Sequence, residues 1–395
     1  MVRNALLCLL LVQTMGHADP PLLVIALDGF RWDFAERDHA ENLLALKEEG
    51  SSIKSLIPAF PSTTFPNFHS MATGLYPARH GLVAMTFYDR RKGRTFRYDR
   101  NAAEGEWYGG LPIWLLAEDK GIKTATFFWP GSDAMIRGKR PTYYRAYDPK
   151  KTIEERVKQV VEWFRLPERE RPGLVIVYFS DVDSSGHRFG PDAAETRAAI
   201  GRVDQAVGDL VRLVRNVRKD MSFLVVSDHG QIEVASQIDL SKRANFRGCK
   251  AANEAPMTML YCPDPEAVRA ELVRNAPEVT VWRSHEIPER LHYRGNQRIG
   301  DLVVVPKKPS IVQVIPPFDA DAKPVPPLQG MHGYDPAKYQ EMNGMLIGAG
   351  PAFRSGVRQE SAETVDVFAI LCRALKIPAP AGLDANVNRV HRILK

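Results

Sequence analysis

Cysteine is scarce, 4 in 395 residues, and none falls in a C-x-x-C pattern. Thiolate zinc sites and dithiol redox motifs are thereby excluded. Nor does any apolar run reach the ~20 residues that a membrane-crossing helix needs, which excludes a multi-span membrane protein. An excess of one charge is missing as well. The 53 Lys+Arg against 47 Asp+Glu leave a formal +6, too mild over this length to imply a nucleic-acid or membrane partner by itself. No repeat of roughly 20–50 residues recurs, so nothing points to a solenoid or propeller. What remains, with 44% hydrophobic and 25% charged residues, is a globular chain long enough for a large core.

The N-terminus has its own character. Arg3 precedes the apolar run 5–12, and Gly16-His17-Ala18 supplies small residues where a signal peptidase cuts. Residues 1–18 therefore read as a cleavable secretory signal, with the exported chain beginning near Asp19 and forming one domain over 19–395. No transmembrane span is expected in it. Removal of Cys8 leaves Cys249, Cys262 and Cys372, an odd number that supports no disulfide framework. A single Cys249–Cys262 bridge is compatible with an oxidising compartment, and three structural thiols are the other reading.

Apolar runs at 22–27, 124–129, 174–179, 223–226, 302–305 and 345–347 alternate with helical patterns at 152–164 and 193–217. Runs that are apolar throughout suit strands buried on both faces. The expectation is an α/β fold, a mostly parallel central sheet with helices on both faces. Residues 314–328 are rich in proline, and the stretch of about 232–329 around them reads as an insertion or cap segment within the same domain.

Chemistry collects at the ends of these runs. The run 22–27 leads into Asp28-Gly29, 174–179 into Ser180-Asp181-Val182-Asp183, and 223–226 into Ser227-Asp228-His229-Gly230. In open parallel sheets ligands bind beyond the carboxyl ends of the strands, so these carboxylates should gather at one edge. Asp183 and His187 lie four apart, one helical turn, and His332 adds an imidazole beyond the proline-rich stretch. Asp and His ligands without thiolates suit Zn²⁺ or another borderline divalent metal in a hydrolytic site. The segment Pro61-Ser62-Thr63-Thr64-Phe65-Pro66-Asn67-Phe68-His69 offers hydroxyls that a metal or base could activate as nucleophiles.

Taken together, Leu27-Asp28-Gly29, Thr64-Phe65-Pro66-Asn67, Thr73-Gly74-Leu75-Tyr76-Pro77 with His80-Gly81, Phe128-Trp129-Pro130-Gly131, Asp183 with Gly186-His187, Ser227-Asp228-His229-Gly230, and His332-Gly333 form a recognisable series. From about residue 21 to 350 the chain resembles, in order, the nucleotide pyrophosphatase/phosphodiesterase family of the alkaline phosphatase superfamily, in the manner of an exported bacterial member. The resemblance implies an alkaline-phosphatase-like core, a periplasmic or secreted location, and two Zn²⁺. By matching motifs, Asp28, Thr64, Asp228 and His229 would hold one ion, and Asp183, His187 and His332 the other. Thr64 would be the catalytic nucleophile, forming a phospho-threonine that water then hydrolyses. The product would be a nucleoside monophosphate, released from a phosphodiester or pyrophosphate bond.

Substrate class can be read around the nucleophile. A monoester carries an extra negative charge suited to a nearby Arg, whereas Thr64 is followed by Phe65, Pro66 and Phe68, which favours a diester with an apolar group. The positions that clamp the base in nucleotide-cleaving members match Phe65 and Tyr147. One position departs: Met85 stands where the family commonly has an Asn that donates to the phosphoryl oxygen, with either Thr86 or the Thr64 amide as a partial substitute donor or a drifted substrate preference as the consequence. The alternatives are a phospholipase C-like or glycerophosphodiester-cleaving enzyme of the same superfamily, and a secreted binding protein without turnover. The basic and aromatic stretch 90–100 reads as an exposed hairpin turning at Lys92-Gly93, and no stable nucleic-acid complex is expected.

Overall fold

A computed structural model describes residues 21–315, 322 and 324–395. The expected signal sequence 1–18, and Pro316 and Pro317, lie outside the described residues. Among the described residues no helix is long and apolar enough to cross a membrane.

Eight strands make the central sheet: β1 (Leu22–Leu27), β2 (Ser51–Ile57), β5 (Thr124–Phe127), β6 (Tyr143–Arg145), β7 (Leu174–Phe179), β8 (Ser222–Val226), β17 (Gly344–Ala349) and β18 (Arg358–Glu363). They lie in the order β18-β2-β17-β8-β1-β7-β5-β6. Every neighbouring pair is parallel except those of β17, which runs against both β8 and β2. The run at 345–347 is therefore a strand of this sheet but an antiparallel one, because the chain returns to it directly from the insertion. Each residue of β1, β7 and β8 is buried, as strands in the middle of a layered sheet must be. The helix Ile153–Arg165 begins at Thr152, whose side chain accepts from Glu155 N–H in a reciprocal capping box. It packs with the long helix Ala194–Val217, while the helices Thr64–Thr73, Ile113–Asp119 and Val367–Ala374 pack together as a second group.

The smaller sheets are set apart in the chain. A hairpin joins β3 (Thr86–Asp89) to β4 (Arg94–Arg97). The inserted region holds β9 (Ile232–Glu233), β10 (Ser236–Asp239), β11 (Lys250–Asn253), β12 (Thr258–Tyr261), β13 (Val279–Arg283), β14 (Leu302–Pro306) and β15 (Ser310–Gln313). Of these, β11-β12-β14-β13 form an antiparallel sheet, β10 pairs with β15, and β9 with β16 (Gly330–Met331). The apolar run at 302–305 was expected in the central sheet. It belongs to the inserted one, where Leu302, Val303 and Val304 face a separate buried cluster or the back of the main core. An apolar run fixes burial, not which sheet receives it. Cys249 and Cys262 are bonded, and Cys372 is buried and free.

Candidate metal centre and nucleophile

Strand registry brings the acids together. Leu27 pairs with Phe179 on one side of β1 and Ala26 with Val226 on the other, so Asp28, Asp183 and Asp228 leave three adjacent strands at the same edge. Gly29 makes this possible: its φ is +67°, and a Cβ there would come within 2.9 Å of the Asp183 backbone. Its N–H donates to Asp228 Oδ1 at 3.3 Å.

Two sets of ligand atoms result, Asp28 with Asp228 and His229, and Asp183 with His229 and His332, each within 4.8 Å of one another. His229 Nε2 lies 3.1 Å from Asp228 Oδ2 and 3.5 Å from Asp28 Oδ1. His187 Nε2 lies 3.4 Å from Asp183 Oδ1 and 3.2 Å from His332 Nε2. The rings of His229 and His332 stack at 3.6 Å, so the two sets are contiguous. All seven residues singled out as ligands by sequence meet here.

The remaining ring nitrogens explain why the imidazoles present Nε2 to the cluster. His187 Nδ1 donates to Gly330 O at 2.9 Å, His332 Nδ1 to Ser62 O at 2.9 Å, and His229 Nδ1 to Gly230 O at 3.1 Å. With Nδ1 carrying the proton, each Nε2 lone pair is free for a cation. Burial holds His229 down at about 4 and His332 well below the ordinary value, so both are neutral. Burial, then the negative charge of Asp228 and Asp183, pushes Asp28 far above the usual carboxylate range. Asp28 Oδ1 and Asp228 Oδ2 are buried without a hydrogen-bond partner. Buried carboxylates with open lone pairs beside neutral imidazoles form a donor set that a divalent cation satisfies.

Sequence reasoning missed the residues that orient these ligands. Tyr178 O–H donates to Asp28 Oδ2. Gln231 Nε2 donates to Asp183 Oδ1 at 2.6 Å and to its backbone oxygen at 3.0 Å. Tyr178 sits in an apolar strand and Gln231 two residues past His229, so only the proximity of Gln231 to a ligand offered any signal.

Thr64 opens the helix Thr64–Thr73, following Thr63 in extended conformation. Its Oγ1 lies 3.2 Å from His229 Nε2. Above it opens a cavity of roughly 550 Å³ with Asp28, Thr64, Asp183, His187 and His332 in its lining. Phe65, Tyr98, Phe128 and Tyr147 add aromatic faces to that lining. Phe65 packs on Tyr98 at 6.0 Å, and Phe128 on Tyr147 at 5.2 Å. Tyr147 is 56% exposed, free to meet a ligand. Arg145 also lines the cavity, its guanidinium bonded to Tyr144 O and Gln159. Met85 lines it too, and its Sδ accepts from Phe65 N–H at 3.3 Å. The Thr86 N–H is taken by Glu254 at 2.9 Å, so that amide is not a spare donor.

Four cations of the basic stretch are paired with acids, most of them from outside it. Arg90 pairs with Asp301, Lys92 with Glu106, Arg94 with Glu104 and Glu106, and Arg97 with Asp99.

A family model described as type I phosphodiesterase/nucleotide pyrophosphatase matches residues 22–335. Ectonucleotide pyrophosphatase/phosphodiesterase family member 1 of Homo sapiens is 33% identical over 401 residues, 95% of this chain and 42% of that protein. A pyrophosphatase/phosphodiesterase of Schizosaccharomyces pombe is 32% identical over 379 residues, 91% of this chain and 77% of that protein. Venom phosphodiesterase 2 of Crotalus adamanteus is 30% identical over 396 residues, covering 95% and 48%. The chain thus spans less than half the length of the human and venom relatives. Among solved structures, murine ectonucleotide pyrophosphatase/phosphodiesterase 5 superposes with a TM-score of 0.88 at 26% identity, over 95% of this chain and 100% of that one. An inactive variant of the same murine protein, in complex with AMP, superposes equally well.

Proposed function

Because the chain belongs to the type I phosphodiesterase/nucleotide pyrophosphatase family, we propose that it is a two-zinc hydrolase of nucleotide phosphodiester or pyrophosphate bonds. One observation carries this reading: the Thr64 hydroxyl sits 3.2 Å from His229 Nε2, the imidazole shared by both ligand sets, beneath an aromatic-walled cavity. Asp28, Asp228, His229 and Thr64 would hold one cation, and Asp183, His187 and His332 the other. Bound there, the two cations would supply the Lewis acidity that favours the ionised hydroxyl and offsets phosphoryl charge.

The chain's own residues do the rest. Thr64 Oγ1 attacks phosphorus in line with the leaving oxygen, so the Oγ1–P bond forms as the P–O bond breaks. Water then attacks the phospho-threonine and frees a nucleoside monophosphate. Phe65 and Tyr147 receive the base between their faces, an interaction worth about 1–3 kcal/mol that tolerates every base. Tyr178 and Gln231 hold the carboxylates in aim throughout.

The Cys249–Cys262 bond, and relatives named as ecto-enzymes and venom enzymes, support an extracellular or periplasmic setting. The same proposal takes the protein as an exported bacterial enzyme with a single catalytic domain over 19–395, capped by the insertion at about 232–329. The test is to count zinc and to assay a nitrophenyl ester of thymidine monophosphate beside nitrophenyl phosphate and a lysophospholipid, with Thr64→Ala as control. About two zinc ions per chain, preference for the nucleotide diester and loss of turnover in the variant are expected. Preference for the lysophospholipid would favour the phospholipase C-like alternative, and bound metal with no turnover a binding protein.

A further inference from the structure

The hairpin β11–β12 reaches from the inserted sheet to the back of the nucleophile. Its strands pair from Lys250↔Tyr261 to Asn253↔Thr258, and Cys249–Cys262 closes its open end. Across its tip the Glu254 N–H donates to Met257 O at 2.8 Å. Glu254 is only 6% exposed, and its carboxyl group accepts from two successive amides, Met85 N–H and Thr86 N–H. Burial pushes it up to about 8, opposed by hydrogen bonds from the Met85 and Thr86 amides and the Thr63 side chain.

The contacts continue in both directions. Met85, held by Glu254, lays its Sδ on Phe65 N–H, the amide next to Thr64 at the start of its helix. On the other flank Pro256 packs against Gly333, where a Cβ would lie 2.5 Å from Pro256 Cδ. The Gly333 N–H donates to Ser62 Oγ at 3.0 Å, and Ser62 O accepts from His332 Nδ1. One hairpin tip thus braces the nucleophile on one side and the last histidine on the other.

We propose that the hairpin 249–262 is a positioning arm for the nucleophile, with Glu254 as its positioning residue. By fixing the Met85–Thr86 backbone, Glu254 fixes the sulfur on Phe65 N–H, and with it the aim of the adjacent Thr64 hydroxyl. A neutral thioether is a weak acceptor, so it orders this amide in the free enzyme and gives it up to an anionic phosphoryl oxygen without a large penalty. This inference rests on Thr64 being the nucleophile.

The experiment compares the zinc-loaded full chain with Glu254→Ala, Glu254→Gln and the double variant Cys249→Ser/Cys262→Ser. The substrate is the nitrophenyl ester of thymidine monophosphate, and zinc content and hydrogen exchange are measured in parallel. Glu254→Ala should lower kcat by about tenfold or more with KM and zinc content unchanged, since misplacement of a reacting group acts on the chemical step. Glu254→Gln keeps one acceptor oxygen and should recover part of the loss, with the cysteine variant between. Peptides covering 62–68 and 83–87 should exchange faster in Glu254→Ala while β1, β7 and β8 keep their protection. A kcat within about twofold of the unaltered enzyme, or a fall that tracks lost zinc, would overturn the arm while leaving the phosphodiesterase reading intact. An unaltered enzyme that fails to cleave the ester would instead overturn that reading, and the exchange comparison alone would then decide the arm. Should Glu254→Ala not fold, Glu254→Gln and the cysteine variant carry the same comparison.

Discussion

Replacing Tyr178 by Phe removes one oxygen, the donor to Asp28 Oδ2, and leaves the ring in the buried strand β7 where it packs on Phe68 at 5.4 Å. Of the groups around Asp28 the Tyr178 hydroxyl is the one whose hydrogen bond favours the ionised form, against burial and the charges of Asp228 and Asp183. A hydrogen bond to a charged group contributes about 1.5–3 kcal/mol. At about 1.4 kcal/mol per pKa unit, its loss lets Asp28 keep its proton about one to two units higher. A cation must displace that proton, so zinc affinity near neutral pH should fall about ten- to a hundredfold, the range found when partners of metal ligands are removed. The assay is a zinc titration of chelator-stripped protein against a chromophoric competitor, at about pH 6.5 and about pH 8.5, with the unaltered chain alongside. The deficit should shrink at the higher pH, because there the proton leaves Asp28 unaided. Equal affinities at both values, or a deficit that does not change with pH, would refute the assigned role. With zinc saturating, kcat should stay close to that of the unaltered enzyme.

Gly186→Ala would put a Cβ within 1.6 Å of Gln231 Oε1, and Gln231 cannot retreat without releasing Asp183. A folded variant with about tenfold weaker zinc binding is expected, and an unchanged titration would count against Gln231 as an orienting residue. Phe65→Ala and Tyr147→Ala should each raise KM for the nucleotide diester by about tenfold, the lower part of the stacking range, and leave methyl nitrophenyl phosphate little changed. Equal effects on both substrates would argue that these rings are structural. Burial holds His69 at about 4 against an ordinary 6.5, with its Nε2 bonded to Gly109 O at 2.7 Å. The folded chain then binds fewer protons there than the unfolded one, so this stability is present above pH 6.5 and lost as pH falls towards 4. Denaturation midpoints at about pH 7 and about pH 5 should converge more in His69→Gln than in the unaltered chain, and parallel profiles would exclude the assignment.

Of the candidate ligands, Asp28 and Asp228 with His229 were legible in the sequence because each is announced locally. An apolar run followed at once by Asp or Asp-His marks a buried strand and its carboxyl end, so Asp28 and Asp228 needed only adjacent residues. Their supports were not legible. Tyr178 meets Asp28 across 150 residues, Ser62 meets His332 across 270, and Glu254 meets Met85 across 169. No periodicity encodes such pairs, and Glu254 in particular reads as an ordinary surface acid in a turn. The run 302–305 shows the same limit in the fold: its hydrophobicity specified burial, while its partners came from the chain's path through the insertion. The helix Ile153–Arg165 was legible because the pattern at 152–164 lies in consecutive residues, and its cap at Thr152 emerged only with the structure.

The registry of β8, β1 and β7 sets a length scale. Ala26 faces Val226 and Leu27 faces Phe179, so Asp28 and Asp228 continue one pairing of strands that run about 4.8 Å apart. The spacing of the two acids is inherited from the repeat of a hydrogen-bonded layer, with the left-handed turn at Gly29 letting the chain leave that layer beside Asp183. Thr64, Phe65 and Tyr147, by contrast, sit on a helix start and in connecting segments. The molecule therefore separates its ruler from its grip: redrawing the connections that carry Phe65 and Tyr147 changes what the cavity walls hold without changing how far apart Asp28 and Asp228 stand. A directed search for new substrates belongs at the flanks of the hairpin β3–β4, at Met85 and Tyr98, and in the segment around Tyr147, where substitutions alter the walls of the cavity and spare its floor.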